Sequence, residues 1–148
     1  MDHVFVESRE EGWFWEVSDS EGKPSEKKEG KGAVSGLPTE GKHVFVVWQA
    51  ERFKGVQFGS RAVVDLYQVA WPLVAVGAVK DRKLETLAEW CSVSHSDKTP
   101  ADHARTVREC YFRLVERLRI GLKVEDVGRT LASGLADKAL QMFGKLAT

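Results

Sequence analysis

A continuous apolar run at residues 44–48, Val-Phe-Val-Val-Trp, sets the first limit on the fold. It lacks the alternation of apolar and polar residues that marks a strand with one face in water. Its β-branched and aromatic residues favour the extended conformation. The run therefore predicts a central strand of a sheet that is covered on both faces.

Shorter strand-type segments precede this run, at residues 4–6 and 13–17. After it the apolar period changes to that of a helix, over residues 63–73, 84–88 and 104–118. Thr99 and Pro100 suit the entry to the last of these helices, with proline in the first turn. Strands followed by helices indicate an α/β or α+β domain.

The length and composition predict one domain spanning residues 1–148, since a chain with 43% hydrophobic residues can bury one core. The polar, Gly- and Lys/Glu-rich residues 18–32 are expected to form a mobile loop or a long hairpin tip. Residues 122–148 are predicted to form an amphipathic C-terminal helical extension.

Charge and cysteine content exclude several classes of protein. The formal net charge is zero, so no global field marks a nucleic-acid binder. Cys91 and Cys110 are too few for a disulfide framework, which predicts a reducing, cytoplasmic (intracellular) location. The sequence shows no membrane-spanning run and no secretion signal.

Three consecutive segments carry a family resemblance: AVVDL at 62–66, KLETLAEW at 83–90 and ARTVRECYF at 104–112. The order of these segments and their sequences resemble the second half of the DnaQ-like (DEDD) 3′–5′ exonucleases. The resemblance covers about residues 44–118 and, weakly, 1–12. It implies an α/β, ribonuclease H-like domain of three layers, with a shortened N-terminal half and an extra C-terminal helix.

Enzymes of this family hold two divalent metals with four carboxylates, and a His or Tyr deprotonates the attacking water. The first family motif matches residues 7–12, where Glu7 replaces the Asp and Arg9 replaces the Glu. The second matches residues 48–54, where Lys54 stands in place of the third Asp. Cationic side chains cannot ligate a metal and would repel it.

The third motif has two possible registers. In the preferred one, His103 takes the Asp position and Lys98 that of the base, and four apolar-face residues point inward: Ala104, Val107, Tyr111 and Leu114. In the other, Asp102 takes the Asp position, Asp97 that of the base, and His103 and Thr106 face the core.

The resemblance therefore implies an exonuclease-like domain without catalytic activity or cofactor, working as a binding or architectural module. Two alternatives remain. An active 3′–5′ exonuclease would need Mg or Mn held by Glu7, Asp102 and either Asp97 or Glu51. A small helical DNA-binding domain would imply that the strands before Trp48 do not form one sheet.

The cationic replacements suggest what the domain binds. By resemblance, Arg9, Lys54 and Lys98 converge on the former catalytic hollow, joined by Arg105, where they could hold a phosphate or an acidic partner side chain. Alternatively they pair with local acids and close the site, the acids being Glu7, Glu51 and Asp102. A protein partner is expected, nucleic acid is possible, and no membrane is involved.

Five tryptophans are expected to pack in the core or at an interface, with base stacking as the alternative: Trp13, Trp15, Trp48, Trp71 and Trp90.

Overall fold

The computed structural model describes residues 2–38, 42–59 and 62–118, which form one mixed sheet and three α-helices. The strands are β1 (Asp2–Arg9), β2 (Gly12–Ser18), β3 (Pro24–Gly30), β4 (His43–Val47) and β5 (Ala62–Asp65). The helices are α1 (Leu66–Ala75), α2 (Leu84–Trp90) and α3 (Pro100–Leu118), and a 3₁₀ turn covers Ala50–Phe53. The helical extension predicted at 122–148 lies outside the described residues.

The sheet has the order β3-β2-β1-β4-β5. β2 runs antiparallel to both β1 and β3, whereas β1, β4 and β5 are parallel to one another. Phe5 of β1 stands beside Val46 of β4. The strands predicted at residues 4–6, 13–17 and 44–48 are thus confirmed, and the first and third are neighbours. Because β1 and β4 are parallel, their carboxyl ends meet at one edge of the sheet.

All three helices among the described residues pack on one face of this sheet. α3 crosses β1 and β2, and its Tyr111 ring lies 5.8 Å from the ring of Phe5, centroid to centroid. α2 packs on α3, and α1 follows directly from β5. The helices expected near residues 84–88 and 104–118 are confirmed. None of the described helices is long and apolar enough to cross a bilayer.

The opposite face of the sheet is covered by loops. Phe45 packs against Phe58 at 5.0 Å between ring centroids, and Val34 and Leu37 cover neighbouring positions. The indole of Trp15 donates a hydrogen bond of 3.0 Å to the Ser35 carbonyl, which fixes this loop to the sheet. In the described part of the chain, the third layer that the sequence led us to expect is therefore made of loops.

Of the two alternatives for residues 18–32, a mobile loop is wrong for residues 24–30, which form β3, whereas a hairpin is observed, since β3 follows β2 and pairs with it. β3 pairs antiparallel with β2, although almost all of its side chains are exposed. A solvent-facing edge strand needs no apolar face, and charged side chains are common there. Periodicity therefore gave no signal. Residues 19–23 form the turn between β2 and β3, which is closed by a hydrogen bond from the Gly22 N–H to the Asp19 carbonyl.

The helix predicted from Val63 onward begins later in the structure than its apolar period indicates. Residues 62–65 are strand β5, and the helix starts at Leu66. Asp65 separates the two elements because its side chain accepts the N–H of Tyr67 and so caps α1.

Candidate functional site

Glu7 is the centre of the candidate site. It lies near the carboxyl end of β1 and faces the helices, since it has the same parity as the buried Phe5. Its side chain is only 1% exposed. A buried carboxylate of this kind must be paired or hydrogen-bonded to remain charged.

Three basic side chains provide that pairing. Glu7 Oε2 lies 2.9 Å from His103 Nε2 and 3.7 Å from Arg9 Nε. Glu7 Oε1 accepts hydrogen bonds from Arg52 Nη2 at 2.9 Å and from the Ser8 N–H at 2.8 Å. Both carboxylate oxygens are therefore already engaged by groups of this chain.

The pKa of Glu7 reflects two opposing effects. Burial is the largest of them and by itself would raise the pKa. The contact with His103, the guanidinium of Arg52 and the Ser8 N–H together outweigh burial and hold the pKa of Glu7 below its usual value. Glu7 is thus ionised in the folded protein at neutral pH.

Arg52 reaches Glu7 because the 3₁₀ turn after β4 is held in place by Asp65. The Asp65 carboxylate accepts the N–H of Gln49 and of Ala50, each at 2.9 Å, and that of Tyr67 at 3.0 Å. Gln49 adopts a left-handed backbone with φ of 62°, which is uncommon for a residue other than glycine. One carboxylate therefore fixes the exit from β4 and the start of α1 together.

His103 reaches Glu7 from the first turn of α3. Thr99 caps this helix, since its Oγ1 accepts the Asp102 N–H at 3.1 Å, and Pro100 occupies the first position as expected. Burial does not distinguish the two registers of the third motif, because the residues that either one turns toward the core are all buried: His103, Ala104, Thr106 and Val107. The contact with Glu7 does distinguish the registers, since it is made by His103 and not by Asp102.

A cavity of about 540 Å³ opens in front of Glu7, and we call it the hollow. Its wall contains four Arg and Lys side chains, three carboxylates, two imidazoles and two large aromatic rings: Arg9, Arg52, Arg82, Lys83, Glu7, Glu85, Asp97, His95, His103, Trp48 and Tyr67. Four cations against three carboxylates leave a positive balance even with neutral histidines. Glu7 is paired with two of those cations, Arg9 and Arg52, which leaves Arg82 and Lys83 beside Glu85 and Asp97.

One wall of the hollow is the loop between α2 and α3. Thr106, fully buried on α3, donates from Oγ1 to the Ser96 carbonyl at 2.8 Å and accepts the Ser96 N–H at 3.2 Å. Next to it, Arg9 donates to the Asp97 carbonyl. These contacts hold the loop against both α3 and the end of β1.

The structure brings together only part of the set predicted from the sequence. Glu7, Arg9 and His103 meet at the hollow. Lys54 instead borders a separate cavity with Phe53 and Val56, on the loop-covered side. Arg105 pairs with Glu109 at 2.7 Å and borders a third cavity. Lys98 is exposed and is not among the residues that line the hollow. The expected convergence of four cations is therefore not observed.

The acidic residues proposed for a metal do not form a ligand set either. Within residues 2–38, 42–59 and 62–118, no group of three or more His, Cys, Asp or Glu side chains is arranged to hold a metal ion. Asp97 is exposed, and Asp102 does not border the hollow. Arg52 and Arg9 instead take up the space beside Glu7.

Sequence reasoning missed Arg52, Arg82 and Lys83 as members of the site. Arg52 lies two residues before Lys54, in the segment that matches the second motif with one extra residue. In a 3₁₀ turn, that extra residue changes which side chain points at β1. For Arg82 and Lys83 the sequence carried no signal beyond their position before α2.

Comparison with known proteins adds no relative, because no protein family, curated protein or solved structure matches the chain.

Proposed function

We propose that this chain is a degenerate DnaQ-like domain of ribonuclease H-like fold that does not cleave nucleic acid. On this proposal it serves as a binding module in a nucleic-acid-processing complex, and the hollow is its binding site for an anionic group of the partner.

The arrangement of β1, β4 and α3 supports the proposed fold. The resemblance places family metal ligands on the first strand, after the later parallel strand and on the last matching helix. In this chain β1 and β4 are parallel neighbours, and α3 brings His103 to the end of β1. Three segments far apart in the sequence thus meet at one edge of the sheet, which supports the proposed fold.

The contacts of Glu7 are the main support for the proposed loss of activity. The two basic groups closest to it, Arg52 and His103, each lie 2.9 Å from a carboxylate oxygen. A divalent ion would have to displace them and would meet the charge of Arg9 as well. At a separation of ~4 Å, repulsion between unit charges costs about 1–4 kcal/mol at dielectric constants of water or a protein surface.

The charge of the hollow supports a role in binding. Arg82 and Lys83 border it from the segment before α2, and Arg9 borders it from the end of β1. Arginine and lysine side chains around a concave surface favour phosphate and carboxylate groups.

Both alternatives fit these contacts less well. A one-metal exonuclease needs Glu7, Asp102 and either Asp97 or Glu51 together, and neither Asp102 nor Glu51 is part of the hollow. A purely helical DNA-binding domain predicts that the strands before Trp48 do not share a sheet, whereas β1, β2 and β4 do.

Incubation of the purified protein with 3′-labelled single- and double-stranded DNA and RNA, in Mg²⁺ and in Mn²⁺, tests the loss of activity. We expect no shortening of any substrate. Metal-dependent shortening that disappears in Glu7→Ala would overturn the proposal.

Binding of an anion in the hollow is tested by the rise in Tm that tripolyphosphate produces. Lys83→Ala removes an exposed lysine from the hollow, and Lys54→Ala removes an exposed lysine from a different cavity. We expect the rise in Tm to shrink in Lys83→Ala and to persist in Lys54→Ala. An equal response in both variants would place anion binding elsewhere.

A further inference from the structure

We infer that Trp71 and Arg82, with Tyr67, form a stacking platform for a base of single-stranded nucleic acid whose phosphates lie in the hollow. The inference rests on the proposed function and specifies the partner. It is carried by contacts on α1 and in the segment before α2 that the degenerate catalytic positions do not involve.

The platform is a layered arrangement of one guanidinium and two rings. The Arg82 Cζ lies 3.6 Å from the centroid of the Tyr67 ring and 4.9 Å from that of the Trp71 ring. The Arg82 Nε is buried without a hydrogen-bond partner among the described residues. Ring contacts therefore hold this guanidinium in place, as cation–π pairs do.

Trp71 is placed unlike a core residue. It is 58% exposed, and among the described residues it is the large hydrophobic side chain that stands out to solvent. Trp13, Trp15 and Trp48 are buried, and Trp90 is partly buried beneath Arg117. An exposed indole next to an ordered guanidinium offers a flat surface on which a planar base can stack.

The platform is continuous with the hollow. Tyr67 and Arg82 belong to the hollow wall as well as to the stack. Lys80 and Lys83, on either side of Arg82 in the chain, are exposed. A strand whose base stacks on Trp71 therefore has cations beside its backbone on the path into the hollow.

This geometry favours a single strand over a duplex. In a duplex both faces of each internal base are already stacked on neighbouring bases, whereas an unpaired base has a face free for an aromatic side chain. Charge complementarity between Lys80, Arg82, Lys83 and phosphates favours nucleic acid over an apolar protein surface.

The test uses fluorescence anisotropy with a labelled 12-nucleotide DNA strand, its duplex and an abasic strand with the same phosphates. The full chain is compared with Trp71→Ala and Trp71→Phe. We expect the normal strand to bind more tightly than the duplex or the abasic strand. Trp71→Ala should weaken binding of the normal strand about 5- to 150-fold, as loss of one stacked base does. Trp71→Phe should restore most of the affinity.

The outcomes separate this inference from the proposed function. Equal binding of the normal strand by the unaltered chain and Trp71→Ala would overturn the platform. So would an equal loss of affinity for the abasic strand in Trp71→Ala, because stacking needs a base. If no oligonucleotide binds while tripolyphosphate still stabilises the protein through Lys83, the inference fails and the proposed function stands. Metal-dependent cleavage would instead remove the proposed function.

Discussion

The imidazole Nε2 of His103 lies 2.9 Å from the carboxylate Oε2 of Glu7, so that the first turn of α3 is bound to the end of β1. Both side chains are at least nine-tenths buried. The pair joins two segments almost one hundred residues apart in the chain. The residues that resemble a catalytic centre therefore also hold the sheet and its longest described helix together.

Replacement of Glu7 by glutamine should destabilise the fold. The change keeps the shape of the side chain but removes the negative charge that faces Arg52 and lies beside Arg9 and His103. Because Arg52 is a third exposed and stays partly hydrated, we expect a loss at the lower end for a broken buried pair, about 3 kcal/mol. Urea unfolding measures it. Glu10→Gln, at an exposed position three residues away, is the matched control and should change little.

The same carboxylate should make stability depend on pH in the acid range. Its pKa is lower in the folded protein than its usual 4.5, so its contribution is complete above that value. It is lost as the pH falls through the folded pKa. The difference in unfolding free energy between the unaltered protein and Glu7→Gln should therefore shrink as the pH falls below 4.5. A difference that does not change down to pH 3 would contradict the pairing.

Asp65→Ala should release the turn that carries Arg52. The change removes the cap of α1 and two further bonds to the backbone of Gln49 and Ala50. We expect a loss of about 2–4 kcal/mol, since an N-cap contributes ~1 kcal/mol and bonds to a charged acceptor contribute more. Chemical denaturation measures it. Asp19→Ala, which removes a similar acceptor from the exposed turn between β2 and β3, should cost less.

The two cysteines should be unreactive in the folded protein. Cys91 and Cys110 are both buried, 1% and 0% exposed. The hydrogen bond between the two thiols, rather than any basic residue, is the main cause that lowers the pKa of Cys91, and the same bond raises that of Cys110. A thiolate without access to solvent does not react.

Reaction with an aromatic disulfide reagent, with and without urea, checks this expectation. The native protein should react at least about 100-fold more slowly than the unfolded one, because reaction must wait for opening of the core. Prompt labelling of one thiol per chain in the native protein would show that the end of α2 is open.

Much of the fold followed from apolar patterning. Residues 44–48 are covered on both faces and lie between two parallel strands, as a continuous apolar run predicts. α3 showed a clear helical period and an entry at Thr99 and Pro100. β3 and β5 were missed for opposite reasons. β3 has no buried side chains to produce a pattern, and the apolar residues of β5 continue directly into those of α1.

The sequence indicated some of the residues that line the hollow but not all of its basic residues. Glu7, Arg9 and His103, which the resemblance assigns to one site, all line the hollow, and they lie on or at the ends of regular elements, where spacing fixes direction. The resemblance put Lys54 at the site because it follows Phe53 in the second motif. The structure puts Arg52 there instead, because a left-handed residue at Gln49 and a 3₁₀ turn follow β4. Neither is visible as a period. The direction of a side chain in such a turn depends on Asp65, a residue of another strand.

β3 has a consequence for how copies of this domain meet. It is an outer strand of the described sheet, and its backbone could in principle recruit a further strand. Its sequence from Pro24 to Gly30 begins with proline and continues with mixed lysines and glutamates, all solvent-facing. A strand laid beside it would bring its own side chains against this charge and would find no apolar surface to cover. The fold therefore ends this edge of its sheet on a strand that discourages edge-to-edge pairing with another copy.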